Sequence, residues 1–213
     1  VRERMLSVEL PEHDDDDAEQ GCKPGEMLLP EVDAERLVGD FYDVLQTRLG
    51  RGQFSEVRLG LRKATREKVS IKVLQKAGSS AVRVQTEVAV LRACARLQHP
   101  NLLLMHDVFE SGTEVHLVTE LLPGGTLLEM LKRREGVPLT EAQARPLIRQ
   151  VVSGVRALHA LNIVHRDINL DNVLLDASGS CKVIDFGFAR RVMPGTRDRA
   201  SSPCGTPGFV APE

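Results

Sequence analysis

The stretch Ile163 to Gly187, IVHRDINLDNVLLDASGSCKVIDFG, decides how this chain is read. Asn172-Val-Leu-Leu-Asp176 and Cys181-Lys-Val-Ile are two short apolar runs joined by Ala-Ser-Gly-Ser, which predicts a β-hairpin. Asp167 and Asn172 stand before it and Asp185 follows it. Side chains fixed at both ends of one rigid hairpin can hold a divalent ion and a hydroxyl in register, because Mg²⁺ takes a few oxygen ligands from protein and leaves the rest to phosphates and water. Acidic and amide oxygens converging on a metal-bound phosphate are what phosphoryl transfer requires. The plainer reading, a turn with solvated aspartates, leaves the joint occurrence of HRD, the following Asn and DFG unexplained.

Working outward, Phe41 opens the pattern YDVLQTRLGRGQFSEVRLGLRKATREKVSIKVLQK, apolar residues alternating around glycines, which predicts an antiparallel three-strand meander. Gly50-Arg-Gly-Gln-Phe-Ser-Glu-Val57 falls in its first turn, where glycines let backbone amides approach a phosphate. Two glycines alone are weak evidence, and a dinucleotide-binding reading fails because a strand, not a helix, follows. Ala81 to Leu97 is helical, with Val84, Val88, Leu91 and Ala95 on one face. Leu102 to Leu122 gives two more strands around Ser111-Gly-Thr, and Pro123-Gly-Gly125 breaks the pattern. Thr140-Glu-Ala-Gln143 is a capping box opening a long helix whose stripe Ala144, Leu147, Ile148, Val151, Val155 and Leu158 reads as core.

Taken with Lys72 in Val69-Ser-Ile-Lys72, these features resemble the eukaryotic protein kinases over about Phe41 to Glu213. The resemblance implies an α+β, two-lobed fold: a five-stranded antiparallel sheet plus one helix in the small lobe, and a mainly helical, incomplete large lobe. It divides the chain into an acidic leader, 1–40, a small lobe, 41–122, and a partial large lobe, 123–213. It also implies ATP and Mg²⁺ as cofactors and a protein substrate. By the same resemblance Asp167 handles the substrate hydroxyl, Asn172 and Asp185 hold Mg²⁺, and Glu87 pairs with Lys72. Leu49, Gly50, Arg51, Gly52, Gln53, Phe54, Ser55, Val57, Ser70, Lys72, Glu120, Leu122 and Leu174 would surround ATP, with backbone groups of Glu120 and Leu122 meeting adenine. Thr119 would limit the back pocket and the Thr126 hydroxyl would face the ribose. Leu91, Met105, His165 and Phe186 would stack between the lobes.

Two positions depart from the family pattern. Ser55 stands for the third glycine. Asn169 stands where the serine/threonine members have a lysine that neutralises the transferring phosphoryl group, and losing one such donor costs roughly 10²- to 10³-fold in rate. Restoring lysine there is expected to raise turnover at least about tenfold; the rival reading is a pseudokinase that serves as a scaffold. A small-molecule kinase of the aminoglycoside-phosphotransferase type would lack GTPGFVAPE. The segments GGTL, VTELLPGG and CGTPGFVAPE are most similar to the calmodulin-dependent class and favour serine/threonine substrates. Arg166 before Asp167 implies an activation-segment phosphate set by an upstream kinase, with Ser202, Ser201 and Thr206 as candidate hydroxyls.

The 213 residues carry a net charge of −2, so no electrostatic handle for nucleic acid is present. No apolar run reaches membrane-span length. Cys22, Cys94, Cys181 and Cys204 lack metal-binding spacing and read as reduced thiols of a cytoplasmic or nuclear protein. The run Glu12 to Glu19 reads as a solvated, disordered leader. Further helices are expected beyond Glu213 to cover the long helix from Thr140.

Overall fold

A computed structural model describes residues 36–52, 55–77, 79–192, 204–206 and 208–209. A short helix α1 (Val38–Phe41) leads into strands β1 (Tyr42–Arg51), β2 (Ser55–Arg62) and β3 (Lys68–Gln75). Helix α2 (Ala81–Leu97) follows, then β4 (Met105–Glu110) and β5 (Glu114–Glu120). The five strands form one antiparallel sheet in the order β1-β2-β3-β5-β4. Strand alternation in β3 sorts its side chains between two cores. Val69 and Ile71 join Tyr42, Phe109 and Val118 on one face. Leu74 joins Val84, Val88 and Leu91 of α2 on the other, and the two-residue period puts Ser70 and Lys72 on that same face.

The expected division at 40/41 falls inside α1, which belongs to the outer face of this sheet. Val38 packs against the Tyr42 cluster, and the Arg36 guanidinium lies 4.5 Å from the Phe41 ring centre and 5.3 Å from that of Phe109. The Tyr42 hydroxyl donates to Asp107 at 2.5 Å.

After β5 come β6 (Gly125–Thr126), α3 (Leu127–Lys132), α4 (Glu141–Ala160), β7 (Ile163–Val164), β8 (Val173–Leu175), β9 (Cys181–Val183) and β10 (Arg190–Arg191). The hairpin read from Asn172 to Ile184 is β8–β9, pairing Val173 with Val183 and Leu175 with Cys181, and β6 extends it. The α4 capping box forms as the sequence predicts: the Gln143 amide donates to Thr140 Oγ1 at 3.3 Å and the Thr140 amide to Gln143 Oε1 at 3.1 Å. The stripe on α4 is only partly core. Leu158 is fully buried, whereas Ile148 is 57% exposed, and Val152 beside it is 51% exposed. Ile148, Val152, Arg145, Arg149 and Arg156 border an open groove of about 620 Å³, because the described residues cover one side of the helix and not the other. Gly154 lets α4 approach the segment that precedes β4: a Cβ there would lie 2.7 Å from the Asn101 carbonyl oxygen. Asn101 in turn donates to the Cys181 carbonyl at 2.9 Å, and the Cys181 amide donates to Gln150 Oε1 of α4 at 2.8 Å. One continuous core, including Leu91, Met105, Leu158, Ile163 and Phe186, joins the sheet to the helical part. Among the described residues no helix is long and apolar enough to cross a membrane.

Candidate functional site

The two segments that flank the hairpin are shaped by backbone as much as by side chains. Arg166, before Asp167, has φ 65°, and Asp185 has φ 60°. Left-handed backbone costs a non-glycine residue energy and persists only where the surroundings over-determine it. His165 supplies part of that constraint. The Asp167 amide donates to its Nδ1 at 3.2 Å, which assigns the ring proton to Nε2, 2.9 Å from the Ile184 carbonyl. Burial holds His165 below the usual histidine pKa, so this neutral tautomer dominates near neutrality. The same ring meets Phe186 edge-on at 5.4 Å. Leu91, Met105, His165 and Phe186, which the sequence groups together, are all buried.

The Asp167 carboxylate is heavily solvated by protein. Its Oδ1 accepts the Thr206 hydroxyl at 2.7 Å, the Thr206 amide at 2.8 Å and Asn169 Nδ2 at 3.1 Å. Its Oδ2 accepts Asn172 Nδ2 at 2.7 Å. Burial alone would favour the protonated acid, but the bonds from Thr206, Asn172 and Asn169 outweigh it and hold the carboxyl below the usual range. Asp167 therefore stays ionised through neutral pH. Because Asn172 donates through Nδ2, the oxygen of its amide is the ligand atom left for a cation. Asn172 Oδ1 and the half-exposed Asp185 carboxylate are hard oxygen donors of the kind Mg²⁺ takes in pairs alongside phosphates. Such a site needs no third carboxylate, in keeping with the absence of any three-membered His/Cys/Asp/Glu cluster among the described residues.

Across the cleft, Lys72 Nζ lies 2.6 Å from Glu87 Oε1 and 3.8 Å from Asp185 Oδ1. The pair follows from local structure: Lys72 shares the α2-facing side of β3 with Leu74, and Glu87 lies on the α2 face that buries Val84, Val88 and Leu91. Burial disfavours the charge on Lys72, but the facing Glu87 and Asp185 carboxylates prevail and hold its pKa above the usual lysine value.

The remaining expected positions fall on the β1–β2 hairpin, β3, the end of β5 and β8. Gly50 pairs with Val57, and the Gly52 amide donates to the Ser55 carbonyl at 2.8 Å, closing the β1–β2 hairpin. A Cβ on Gly52 would meet Ser55 Oγ at 2.6 Å, so any larger residue at 52 would turn the Ser55 hydroxyl away. Leu49 and Arg51 are exposed on β1, and Gln53 and Phe54 lie outside the described residues. Ser70 is opposite Thr119, Leu122 is buried, and Leu174 is opposite both Thr126 and Lys182. Ser201 and Ser202 also lie outside the described residues.

Two side chains have partners the sequence did not announce. The Thr126 hydroxyl accepts the Glu129 amide at 3.0 Å as the N-cap of α3 and keeps its own proton to donate. Glu120, expected only for its backbone, also has an engaged side chain: its Oε1 accepts the Leu104 amide at 2.8 Å and pairs with Lys182 Nζ at 2.7 Å. Neither partner is marked in the sequence, since Leu104 precedes β4 and Lys182 lies in the other sheet, and both reach Glu120 only in the folded chain.

The description "protein kinase domain" matches residues 43–213. The chain belongs to the protein kinase family. It is 41% identical to CBL-interacting protein kinase 4 of Oryza sativa subsp. japonica over 187 residues, 84% of this chain and 40% of the rice protein. It is 37% identical to the hormonally up-regulated neu tumor-associated kinase of Mus musculus over 180 residues, 81% of this chain and 24% of the mouse protein. The chain thus spans less than half the length of both kinases. Its α+β fold, with the five-stranded antiparallel sheet, is that of the small lobe of a two-lobed kinase.

Proposed function

We propose that this kinase transfers the γ-phosphate of ATP to a serine or threonine hydroxyl of a protein substrate. The observation that carries the reading is the position of Lys72 Nζ between Glu87 and Asp185, which brings the glycine-hairpin side of the cleft to the cation-binding side. ATP would be held by the β1–β2 hairpin, Lys72, the Glu120–Leu122 backbone and Leu174. Mg²⁺, when bound by Asn172 and Asp185, supplies charge neutralisation for the phosphates. Asp167 orients the hydroxyl and receives its proton. Its Oδ2, engaged by Asn172 alone, is the oxygen with capacity left for a substrate, since Oδ1 already has three donors.

Serine/threonine preference is supported by the Thr206 hydroxyl on Asp167, and membership of the calmodulin-dependent class by GGTL and CGTPGFVAPE. Cytoplasmic localisation, a larger parent protein and an upstream activating kinase complete the proposal. For the last, Ser202 and Ser201 are the candidate targets. Thr206 is not, because a phosphate there would set a dianion against the Asp167 carboxylate. The uncharged Asn169 favours the alternative, a nucleotide-binding scaffold without turnover. Asp167→Asn discriminates the two: the parent should phosphorylate a generic serine/threonine peptide, the variant should not, and both should bind Mg-ATP within a few-fold. A parent that binds nucleotide but never turns over would establish the scaffold.

A further inference from the structure

Asn169 is the position at which this chain leaves the family pattern, and its surroundings are unlike those of a residue that merely lost a charge. It is 8% exposed, and both ends of its amide are engaged. Oδ1 accepts the Asp171 amide at 2.9 Å and the Asn172 amide at 3.0 Å. Nδ2 donates to Asp167 Oδ1 at 3.1 Å and to Thr206 Oγ1 at 2.9 Å. A lysine could supply the donor half of this pattern. It has no acceptor, so it could never take the two backbone amides.

We infer that Asn169 is a positioning residue, a neutral clamp whose single amide ties the base Asp167, the backbone leading into Asn172 and Thr206 of the activation segment into one preassembled unit. What that unit does for phosphoryl transfer rests on the kinase reading; that it exists rests on the bonds themselves. The two halves of the amide have separable jobs. The acceptor half fixes where Asn172 points, and so where its Oδ1 ligand atom sits. The donor half fixes the orientation of the Asp167 carboxylate by occupying Oδ1 together with Thr206, leaving Oδ2 forward. Other ionisable groups near Asp167 are His165 and Arg166 in its own loop and Asp185 beyond β9; His165 turns Nε2 to the Ile184 carbonyl, and Arg166 Nε donates to the Phe188 carbonyl.

The clamp also changes what restoring lysine would do. A cation at developing phosphoryl charge is worth roughly 10²- to 10³-fold in rate, more than two ordinary hydrogen bonds contribute to folding. Asn169→Lys is therefore expected to raise turnover while lowering the urea midpoint and loosening the loop, a combination that simple repair of a defect would not give.

The test compares the parent with Asn169→Ala, Asn169→Asp, Thr206→Val and Thr206→Ser. Amide hydrogen exchange at Asp171 and Asn172 should speed up about tenfold or more in Asn169→Ala and stay protected in Asn169→Asp, which keeps the acceptor. In the peptide-kinase assay, Asn169→Ala and Thr206→Val should lower kcat about tenfold or more, because each removes a donor that orients the Asp167 carboxylate. Thr206→Ser, which keeps the hydroxyl, should retain the kcat of the parent. The KM for Mg-ATP should stay within about twofold in Thr206→Val and Thr206→Ser, which leave the Asp171 and Asn172 amides held, and should rise in Asn169→Ala, which frees the Asn172 ligand atom. Exchange that is unchanged in Asn169→Ala overturns the clamp, and so does a kcat that stays at the parent value in both Asn169→Ala and Thr206→Val. Altered exchange in a chain that never phosphorylates peptide keeps the clamp and refutes the catalytic reading instead.

Discussion

Glu87→Gln removes one charge at the centre of the cleft while keeping the shape of the side chain. In the parent, Lys72 Nζ has Glu87 Oε1 at 2.6 Å and Asp185 Oδ1 at 3.8 Å, and the lysine side chain is 23% exposed. Taking one partner from a buried ion pair costs about 3–5 kcal/mol when the other charge is stranded. Lys72 is not stranded: Asp185 remains, water reaches part of the side chain, and the glutamine carbonyl can still accept its hydrogen bond. The loss of folding stability should thus be about 1–2 kcal/mol, well below the full figure. Binding should suffer separately, because the retained attraction to Asp185 draws Lys72 toward the cation-binding side and away from α2. We expect Mg-ATP affinity to fall roughly tenfold, equivalent to about 1.4 kcal/mol. Urea unfolding followed by circular dichroism gives the first quantity, and titration with a fluorescent ATP analogue gives the second. An unchanged urea midpoint together with an affinity within twofold of the parent would show that the Lys72–Glu87 pair neither supports the fold nor orients the lysine.

Other outcomes follow from burial and close packing. Burial holds His99, His106, His116 and His165 below the ordinary histidine value, and a folded pKa below the unfolded one favours folding above about pH 6.5 and loses that contribution as pH falls. The urea midpoint should accordingly drop between about pH 7.5 and about pH 5.5, and a flat or rising profile would contradict it. Gly154→Ala should destabilise by about 1–3 kcal/mol, read as a lower thermal midpoint, because the new Cβ has only 2.7 Å to the Asn101 carbonyl oxygen. Ile148→Glu with Val152→Glu should leave the urea midpoint of the 213-residue chain within about 0.5 kcal/mol of the parent and reduce light scattering on concentration, since both side chains are already largely in solvent.

Much of the arrangement was legible in the sequence wherever period alone decides geometry. The 3.6-residue stripe of Val84, Val88 and Leu91 marked α2 at its observed ends, Ala81 and Leu97, and the two-residue period of β3 put Lys72 on the side facing it. The β8–β9 hairpin and the α4 capping box were likewise local signals. What the sequence hid depends on long-range meetings or on backbone. Arg36 and α1 carry no periodicity, and they are ordered by two aromatic rings, one of them brought in from β4. The hydroxyl of Thr126 was read from its family position, and its second job, accepting the Glu129 amide as a helix cap, was not. Of the left-handed pair, Arg166 has no intrinsic leaning to that conformation and Asp185 only the modest one of any aspartate, so single-residue preference does not announce them. For Asn169 the missing charge was plain, whereas its acceptor role appears only once the turn to Asn172 is folded.

The ion pair between Glu120 and Lys182 gives the cleft a mechanical character. Glu120 ends β5 and also grips the Leu104 amide, while Lys182 lies in β9 opposite Leu174. The five-stranded sheet and the sheet of the β8–β9 hairpin are thereby tied at one point, between the end of β5 and the middle of β9. The β1–β2 hairpin lies at the opposite edge of the five-stranded sheet. On the proposed kinase reading, opening the sheet is therefore easiest at that hairpin and disturbs the Asn172 segment least.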